Sequence, residues 1–537
     1  MAQEAGPLQE QAKLVAALCD PARHHYPHPA DPVRHLETHI SHVLLAGDYA
    51  YKIKKPVNLG FLDFTTLSAR RFYCEEELRL NRRFAPKLYL EVVAIGGSSE
   101  APMLGATDGA IEYAVKMRRF PQEALFDRMA SRGELAEEHI DALAAVIADF
   151  HDHAERARVS DPYGAAAAVA EPMRQNFAQL RQLTPLLGGG GEPGRLDQVE
   201  RWSLRRHAEL GPVFTERHVQ GFVRECHGDL HLGNVAWVDG GAGCTALPFD
   251  GIEFNAGLRW IDVMSEVAFL VMDLHLRGRD DLASRFLNAY LESSGDYAGL
   301  AVLDDYLVYR AMVRAKVAAI RASQPGLGEE ERRDLIADYL AHLALAQRFT
   351  RPHRQTLVIM HGLSGSGKSV VSQAVCQASD AIRLRSDVER KRMAGLEQAE
   401  GSGSAIAGGI YDEGSTLATY AELTRLARLV LGVGWPALVD AAFLYRWQRE
   451  TFSGLAREFK IPFLVVACTA NPAVLHERLV RRAAIGQDAS EADVAVLDHQ
   501  IASAEPLMAE ERRLEIDTGR EPTSRSVAAI AAALAEI

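Results

Sequence analysis

The stretch Thr356-Leu-Val-Ile-Met-His-Gly362-Leu-Ser364-Gly365-Ser366-Gly367-Lys368-Ser369 decides how the last third of this 537-residue chain folds. A run of six mostly apolar residues leads into the spacing G-x-x-x-x-G-K-S. In that spacing glycines let backbone N–H groups curl around phosphate oxygens, lysine reaches the outer phosphates, and the hydroxyl holds Mg²⁺. Val370, Val371, Ala374 and Val375 then repeat as a helix does, so a helix N-terminus adds its partial positive charge. A glycine-rich turn that only joined strand to helix would need neither the lysine nor the serine. Gly362, Ser364, Gly365, Ser366, Gly367, Lys368 and Ser369 are therefore expected to bind ATP, with Mg²⁺ at Ser369.

Length and charge bound what surrounds this loop. The chain exceeds what one hydrophobic core usually supports, so two or three domains are expected. A formal net charge of -13 argues against a general nucleic-acid or anionic-membrane binder. Residues 351–537 carry 21 Lys and Arg against 23 Asp and Glu, leaving most of the acidity to the first 350 and room for a locally basic site. The six cysteines are scattered without a C-x-x-C pair and read as reduced thiols of a cytosolic protein. Glu4, Glu10, Lys13 and Asp20 rule out a secretory core at the start, and no run approaches a membrane span, so the cytoplasm is the expected location.

Residues 8–19 have an amphipathic helix pattern, and His24, His25, His28, His35, His39 and His42 gather after it among prolines. They lack a paired i, i+4 arrangement with a carboxylate or cysteine, which favours surface or loop histidines over a metal site. Val43–Ala46 and Tyr49–Lys55 read as a hairpin closed by Gly47-Asp48. Alternation puts Lys52 and Lys54 on one face, and for an isolated pair a solvated face is commoner than a phosphate clamp. Residues 67–85 predict a helix that buries Phe72, Leu80 and Phe84 and carries three glutamates. Strand patterns return at 89–95 and 111–117, followed by helices including 140–151 and 165–183, with Gly188–Gly191, Pro193 and Gly194 marking a loop.

A second constellation lies at Cys226-His-Gly-Asp-Leu-His-Leu-Gly-Asn-Val235. His227, Asp229 and Asn234 fit H-x-D-x-x-x-x-N, in which the aspartate accepts a substrate hydroxyl proton and the asparagine binds Mg²⁺. Further on, Leu247-Pro-Phe-Asp250-Gly-Ile-Glu253 is an apolar strand ending in an acid, where a second metal ligand is needed. The bland alternative is that these side chains only cap turns. Lysine strand, glutamate helix, loop and acid follow one another in the order that the chemistry requires.

On these residues, 33–340 resembles the aminoglycoside phosphotransferase and choline kinase branch of the protein-kinase-like fold. The resemblance implies Lys52, in Ala50-Tyr51-Lys52, as the phosphate-contacting lysine and Glu77 as its helical partner, with Glu76 a rival that spacing does not separate. It implies Asp229 as base, Asn234 and Asp250 as Mg²⁺ ligands and Glu253 as the acid beyond. The chain departs from the pattern in having no G-x-G-x-x-G loop between Val33 and Tyr49.

Helices are expected at 263–276, 303–322 and 335–349, and the polar stretch Thr350–Gln355 is the expected domain boundary. Beyond it strand and helix alternate, implying a parallel sheet covered on both faces. Residues 401–409 are Gly- and Ser-rich and read as mobile. This part resembles P-loop small-molecule kinases, closest to polynucleotide kinase and zeta-toxin-like enzymes. That resemblance implies Asp387, in the D-x-x-R of Asp387 to Arg390, as the residue activating the acceptor, with Arg390 beside it. It also implies Asp440 as an acid supporting Mg²⁺, and Arg478, Arg481 and Arg482 as arginines of a lid over the transferring phosphoryl group. The alternatives are that Asp387 caps its helix and that the arginines form a solvated face.

The expected architecture is an extension at 1–32, an α+β protein-kinase-like domain at 33–350 and an α/β P-loop domain at 351–537. The expected activity is transfer of the γ-phosphate of ATP, with Mg²⁺, to a small-molecule hydroxyl. A regulatory ATPase beside a kinase-like or silent binding domain, and a nucleic-acid end kinase, are the alternatives.

Overall fold

The computed structural model describes residues 5–20, 25–30, 32–60, 62–187, 193–239, 243–398, 400, 402, 409–485 and 492–536. The glycine loop at 188–191 and most of the stretch 401–409 lie outside the described residues. The chain divides into two compact units, Met1–Arg174 with Gly211–Asp273, and Gln175–Leu210 with Leu274–Ile537.

The first unit is built on an antiparallel sheet of six strands: β1 (Arg34–Glu37), β2 (Ser41–Ala46), β3 (Tyr49–Lys54), β4 (Tyr89–Gly97), β5 (Pro102–Leu104) and β6 (Glu112–Arg118), in the order β1-β2-β3-β6-β4-β5. The pleat of β3 sorts its side chains. Tyr51 and Ile53 join Leu14, Leu18 and Leu44 in a core under the helix Ala5–Leu18. Lys52 and Lys54 point to the other face, toward the helix Leu67–Asn81, whose first turn is capped by Thr66 accepting the Ala69 N–H at 3.1 Å. That helix buries Arg70, Cys74, Glu77, Leu80 and Asn81. Phe72, expected in the core, is 55% exposed, because it lies two residues from both Arg70 and Cys74 and so off the buried stripe. Two short ribbons follow: β7 (Val223–Glu225) pairs with β10 (Trp260–Asp262), and β8 (Val235–Asp239) with β9 (Cys244–Pro248).

The second unit holds the helices Asp280–Ser294, Leu300–Ala322 and Glu329–Phe349 and a five-stranded sheet. Its strands are β11 (Leu357–His361), β12 (Ile382–Arg385), β13 (Ala437–Asp440), β14 (Phe463–Thr469) and β15 (Arg513–Asp517), in the order β12-β13-β11-β14-β15 and all parallel. β13 is buried throughout and β11 is buried up to the half-buried His361 at its end, as a sheet covered on both faces requires. β11 ends in the phosphate loop, and the helix Lys368–Gln377 follows. Residues 350–355 run within this unit from the last of the three helices to β11.

The edge strand β12 is covered by the helix Asp280–Ser294. Asn288 Oδ1 accepts the Arg383 N–H at 2.7 Å and its Nδ2 donates to the Ala381 carbonyl at 3.2 Å, so one side-chain amide stands in for a neighbouring strand. Glu292 pairs with Arg383 at 2.7 Å and with Arg385 at 3.4 Å, and Ser284 Oγ donates to the Cys376 carbonyl at 2.6 Å at the end of the phosphate-loop helix. No described helix is long and apolar enough to cross a membrane. Among the cysteines, Cys74, Cys226, Cys376 and Cys468 are buried and Cys244 is exposed.

Candidate active sites

In the first unit Lys52 Nζ donates to Glu77 Oε1 at 2.8 Å and to Asp250 Oδ1 at 2.5 Å. Glu76, the rival of Glu77, turns outward to Arg79 at 2.9 Å and Arg259 at 3.5 Å. Lys54, which the sequence pattern left to a solvated face, is fully buried; its Nζ donates to Glu77 Oε2 at 2.7 Å and also to Glu253. A chain of alternating charge thus runs Asp250–Lys52–Glu77–Lys54–Glu253. Burial draws the Lys52 ammonium down, but Asp250 and Glu77 outweigh it and hold its pKa well above the ordinary value. Burial also pushes Glu253 up, against the pull of Lys54.

Asp250 has φ 64, a left-handed conformation that aspartate tolerates better than most residues. Two side chains outside any motif fix it there: Tyr89 Oη accepts the Asp250 N–H at 3.0 Å, and Asn81 Oδ1 accepts the Gly251 N–H at 2.8 Å. The Asp229 loop is tied to the same segment through His227. Its Nδ1 accepts the Asp229 N–H at 3.3 Å, so its Nε2 carries the proton donated to the Phe249 carbonyl at 2.8 Å. Burial lowers the His227 pKa and keeps this ring neutral. Asn234 Nδ2 donates to the Asp229 backbone carbonyl at 2.9 Å and to Asp229 Oδ2 at 3.2 Å, leaving Oδ1 without a donor among the described residues.

Glu266 anchors the loop from behind. Its carboxylate accepts the N–H groups of His227 at 3.1 Å and Gly228 at 2.7 Å and faces His151 Nε2 at 3.1 Å. Burial would raise its pKa; the His151 contact and the N–H donors instead hold it at about 2. Asp273, about two turns further along the same helix, accepts the Leu232 N–H at 2.9 Å. Where kinase-like folds place a glycine loop, this chain has a tight turn in which Thr38 Oγ1 accepts the Ser41 N–H at 3.0 Å. Beside it His35 Nε2 and His42 Nδ1 are 3.0 Å apart, while Glu37 is paired with Lys55 at 2.6 Å.

In the second unit the phosphate loop has the backbone that its glycines predict. Gly362 has φ +146, and a Cβ there would stand 2.4 Å from the Cys468 carbonyl; Gly365 has φ +79 and would meet the Leu475 carbonyl at 2.9 Å. Ser366 Oγ is buried without a hydrogen-bond partner among the described residues. Lys368 Nζ donates to the Gly362 and Leu363 carbonyls, each at 2.8 Å. Burial pulls the Lys368 ammonium below its ordinary pKa, against the charges of Asp440 and Asp387. Asp440, at the end of β13, accepts Ser372 Oγ at 2.8 Å on the helix that the loop opens. These groups, with the exposed Ser369, suit a nucleoside triphosphate and its metal.

Asp387 lies in the first turn of the helix Ser386–Met393 without a hydrogen-bond or ion-pair partner among the described residues, and no side chain caps that helix. It is therefore not the helix cap that was the alternative reading. Arg390 is turned to the Ile410 carbonyl at 2.8 Å and lies 4.9 Å from the Tyr411 ring. Arg478 reaches the phosphate loop from behind, donating to the Gly365 carbonyl at 3.2 Å and to Thr518 Oγ1 at 3.0 Å. Thr518 Oγ1 in turn donates to the Ser366 carbonyl at 2.8 Å. Arg482 donates to the Ala492 carbonyl at 2.6 Å, while Arg481 is exposed.

The chain thus joins a protein-kinase-like N-terminal fold to a C-terminal P-loop α/β fold. Residues 357–507 match the AAA domain family. Over 462 residues the chain is 33% identical to an uncharacterized protein of Mycobacterium tuberculosis strain H37Rv, spanning 86% of this chain and 88% of that one, and to a Mycobacterium bovis protein to the same degree. It belongs to the family of these proteins. Among solved structures, a gluconokinase from Sinorhizobium meliloti 1021 aligns with 35% of this chain and 94% of its own, at 23% identity and TM-score 0.26. A choline/ethanolamine kinase family protein from Mesorhizobium loti aligns with 64% of this chain and 99% of its own, at 12% identity and TM-score 0.33.

Proposed function

We propose that this chain is a cytoplasmic, ATP- and Mg²⁺-dependent phosphotransferase with two phosphoryl-transfer sites, one in a domain at 33–350 and one in a domain at 351–537, each acting on a small-molecule hydroxyl. The observation that carries the reading is the meeting of Lys52 with Glu77 and Asp250, together with the Asp229–Asn234 pair held by Glu266. In the first site Lys52 orients the phosphates, Asn234 Oδ1 and Asp250 hold the metal, and the Asp229 carboxylate accepts the proton of the attacking hydroxyl. In the second, Lys368 and the loop N–H groups hold the phosphates, Ser369 and Asp440 serve the metal, and Asp387 takes the proton. Arg478 and Arg390 brace the loop and the turn beside it. Mg²⁺, when bound, screens the charge of the transferring phosphoryl group.

Asp387, which has no hydrogen-bond or ion-pair partner among the described residues, is available to take the proton of an acceptor in the second site, and the acceptor decides between transfer and hydrolysis. The test is transfer of labelled γ-phosphate from ATP into a panel of metabolites and oligonucleotides, comparing Asp229→Ala with Lys368→Ala. Loss of one labelled product in each variant is the expected outcome. If Asp229→Ala leaves every product unchanged, the first site is not a kinase; label released only as free phosphate would make the second an ATPase.

A further inference from the structure

The peptide unit joining Leu363 to Ser364, the second and third residues of the phosphate loop, has both polar atoms engaged by side chains. Its carbonyl accepts from Lys368 Nζ at 2.8 Å, and its N–H donates to Gln500 Oε1 at 2.8 Å. The lysine of such a loop is the group that reaches the β- and γ-phosphates. That ammonium is hydrogen-bonded to the Leu363 carbonyl, so this peptide lies beside the group that reaches the outer phosphates, while its Ser364 N–H, on the opposite side of the trans peptide, faces Gln500.

Gln500 stands on the helix Val494–Ser503. Leu497, three residues earlier and on the same helix face, is fully buried with Leu475 and Leu479, and Leu363 packs against this cluster. The helix is therefore docked on the loop itself, and its docking face directs Gln500 at Ser364. A loop N–H serves phosphate oxygens, and a side-chain carbonyl cannot share that N–H with an anion, since two acceptors repel. A primary amide has a way out that a carboxylate and a methyl lack. Half a turn about its last bond puts its Nε2 donors where Oε1 was.

We propose that Gln500 is a ligand of the outer phosphates: its amide accepts the Ser364 N–H in one orientation and donates to the terminal phosphate of ATP in the other. The inference rests on reading residues 362–369 as an ATP site. It adds a residue 136 positions away in sequence from the Ser364 that it serves, and it gives the site a means of telling ATP from ADP.

Calorimetric titration of the full chain with MgATP and MgADP tests it, the binding component that Lys368→Ala removes being the one read. Gln500→Ala is expected to weaken ATP about ten-fold or more, the scale of a lost hydrogen bond to a charged group, with ADP changed less than about two-fold. Gln500→Glu is expected to weaken ATP further, because a carboxylate repels phosphate. An ATP-to-ADP preference that stays as in the parent in both Gln500 variants, while Lys368→Ala still removes a component, overturns the role of Gln500 and spares the phosphate-loop reading. If Lys368→Ala removes no component, the reading beneath it falls as well.

Discussion

Lys54 sits between two buried carboxylates, with Glu77 Oε2 at 2.7 Å on one side and Glu253 on the other. A buried pair contributes little over an apolar replacement, but removing one partner leaves uncompensated charge, at a cost of about 3–5 kcal/mol. Lys54→Met should therefore lower the unfolding free energy by that order, seen as a lower urea midpoint. Lys54→Met with Glu253→Leu should recover part of the loss, since the second change removes the stranded carboxylate. A double variant no more stable than the single would show that the Lys54–Glu253 contact carries no such weight. Lys52 cannot be treated in the same way. It is 8% exposed and faces Asp250, so Lys52→Met should cost transfer in the first site far more than Lys54→Met with Glu253→Leu does.

At the scale of the element, the helix Asp280–Ser294 closes the open edge of the P-loop sheet. Asn288→Ala leaves the buried Arg383 N–H and Ala381 carbonyl without their partner, which should cost about 1–3 kcal/mol in thermal or urea unfolding. A fragment beginning at residue 351 lacks this cover and should associate through the bare edge of β12, seen as a mass above monomer in light scattering. The segment leading into β11 adds a pH dependence. Burial opposes charge on His353, but Asp304 at 3.2 Å and Asp380 at 3.4 Å raise its pKa from 6.5 to about 9. A proton bound more tightly in the folded chain stabilises it fully below the unfolded pKa of 6.5, and that stability is lost as pH rises through about 9. It amounts to at most about 3 kcal/mol. The parent should thus lose stability between about pH 6 and about pH 9.5, and His353→Gln should flatten that decline; an equal slope in both would exclude His353 as its source.

What could be read from the sequence follows from how each contact is made. The phosphate loop and the segment His227–Asn234 are contiguous, so backbone and side chains carry their geometry within about ten residues and the spacing discloses it. The sheet faces were legible too, because strand alternation fixes Lys52 and Lys54 together, though not whether that face is wet. Glu266, Asn288 and Gln500 were not legible. Each bonds a backbone group 38 to 136 positions away, and such a bond imposes no local pattern. Phe72 misled for a related reason: its apolarity says bury, but the helix face is set by Glu77 and Asn81, which the lysines and Gly251 require.

For the molecule as a whole, the described side chains of the first site come from Met1–Arg174 and Gly211–Asp273, and those of the second from the other unit. Neither constellation borrows a described group from the other. Losses from one site should then add to losses from the other, as they do for residues that share no partner. Asp229→Ala and Lys368→Ala should each remove a separate share of ATP turnover. The two residual rates should sum to that of the parent, and the double variant should fall to background. Asp229→Asn is the sharper version of the first arm, since it keeps the hydrogen bond from Asn234 Nδ2 at 3.2 Å while removing the base, so folding and nucleotide binding should be retained as the rate is lost. If either single variant silences both rates at saturating ATP, the two sites are not additive and one depends on turnover at the other.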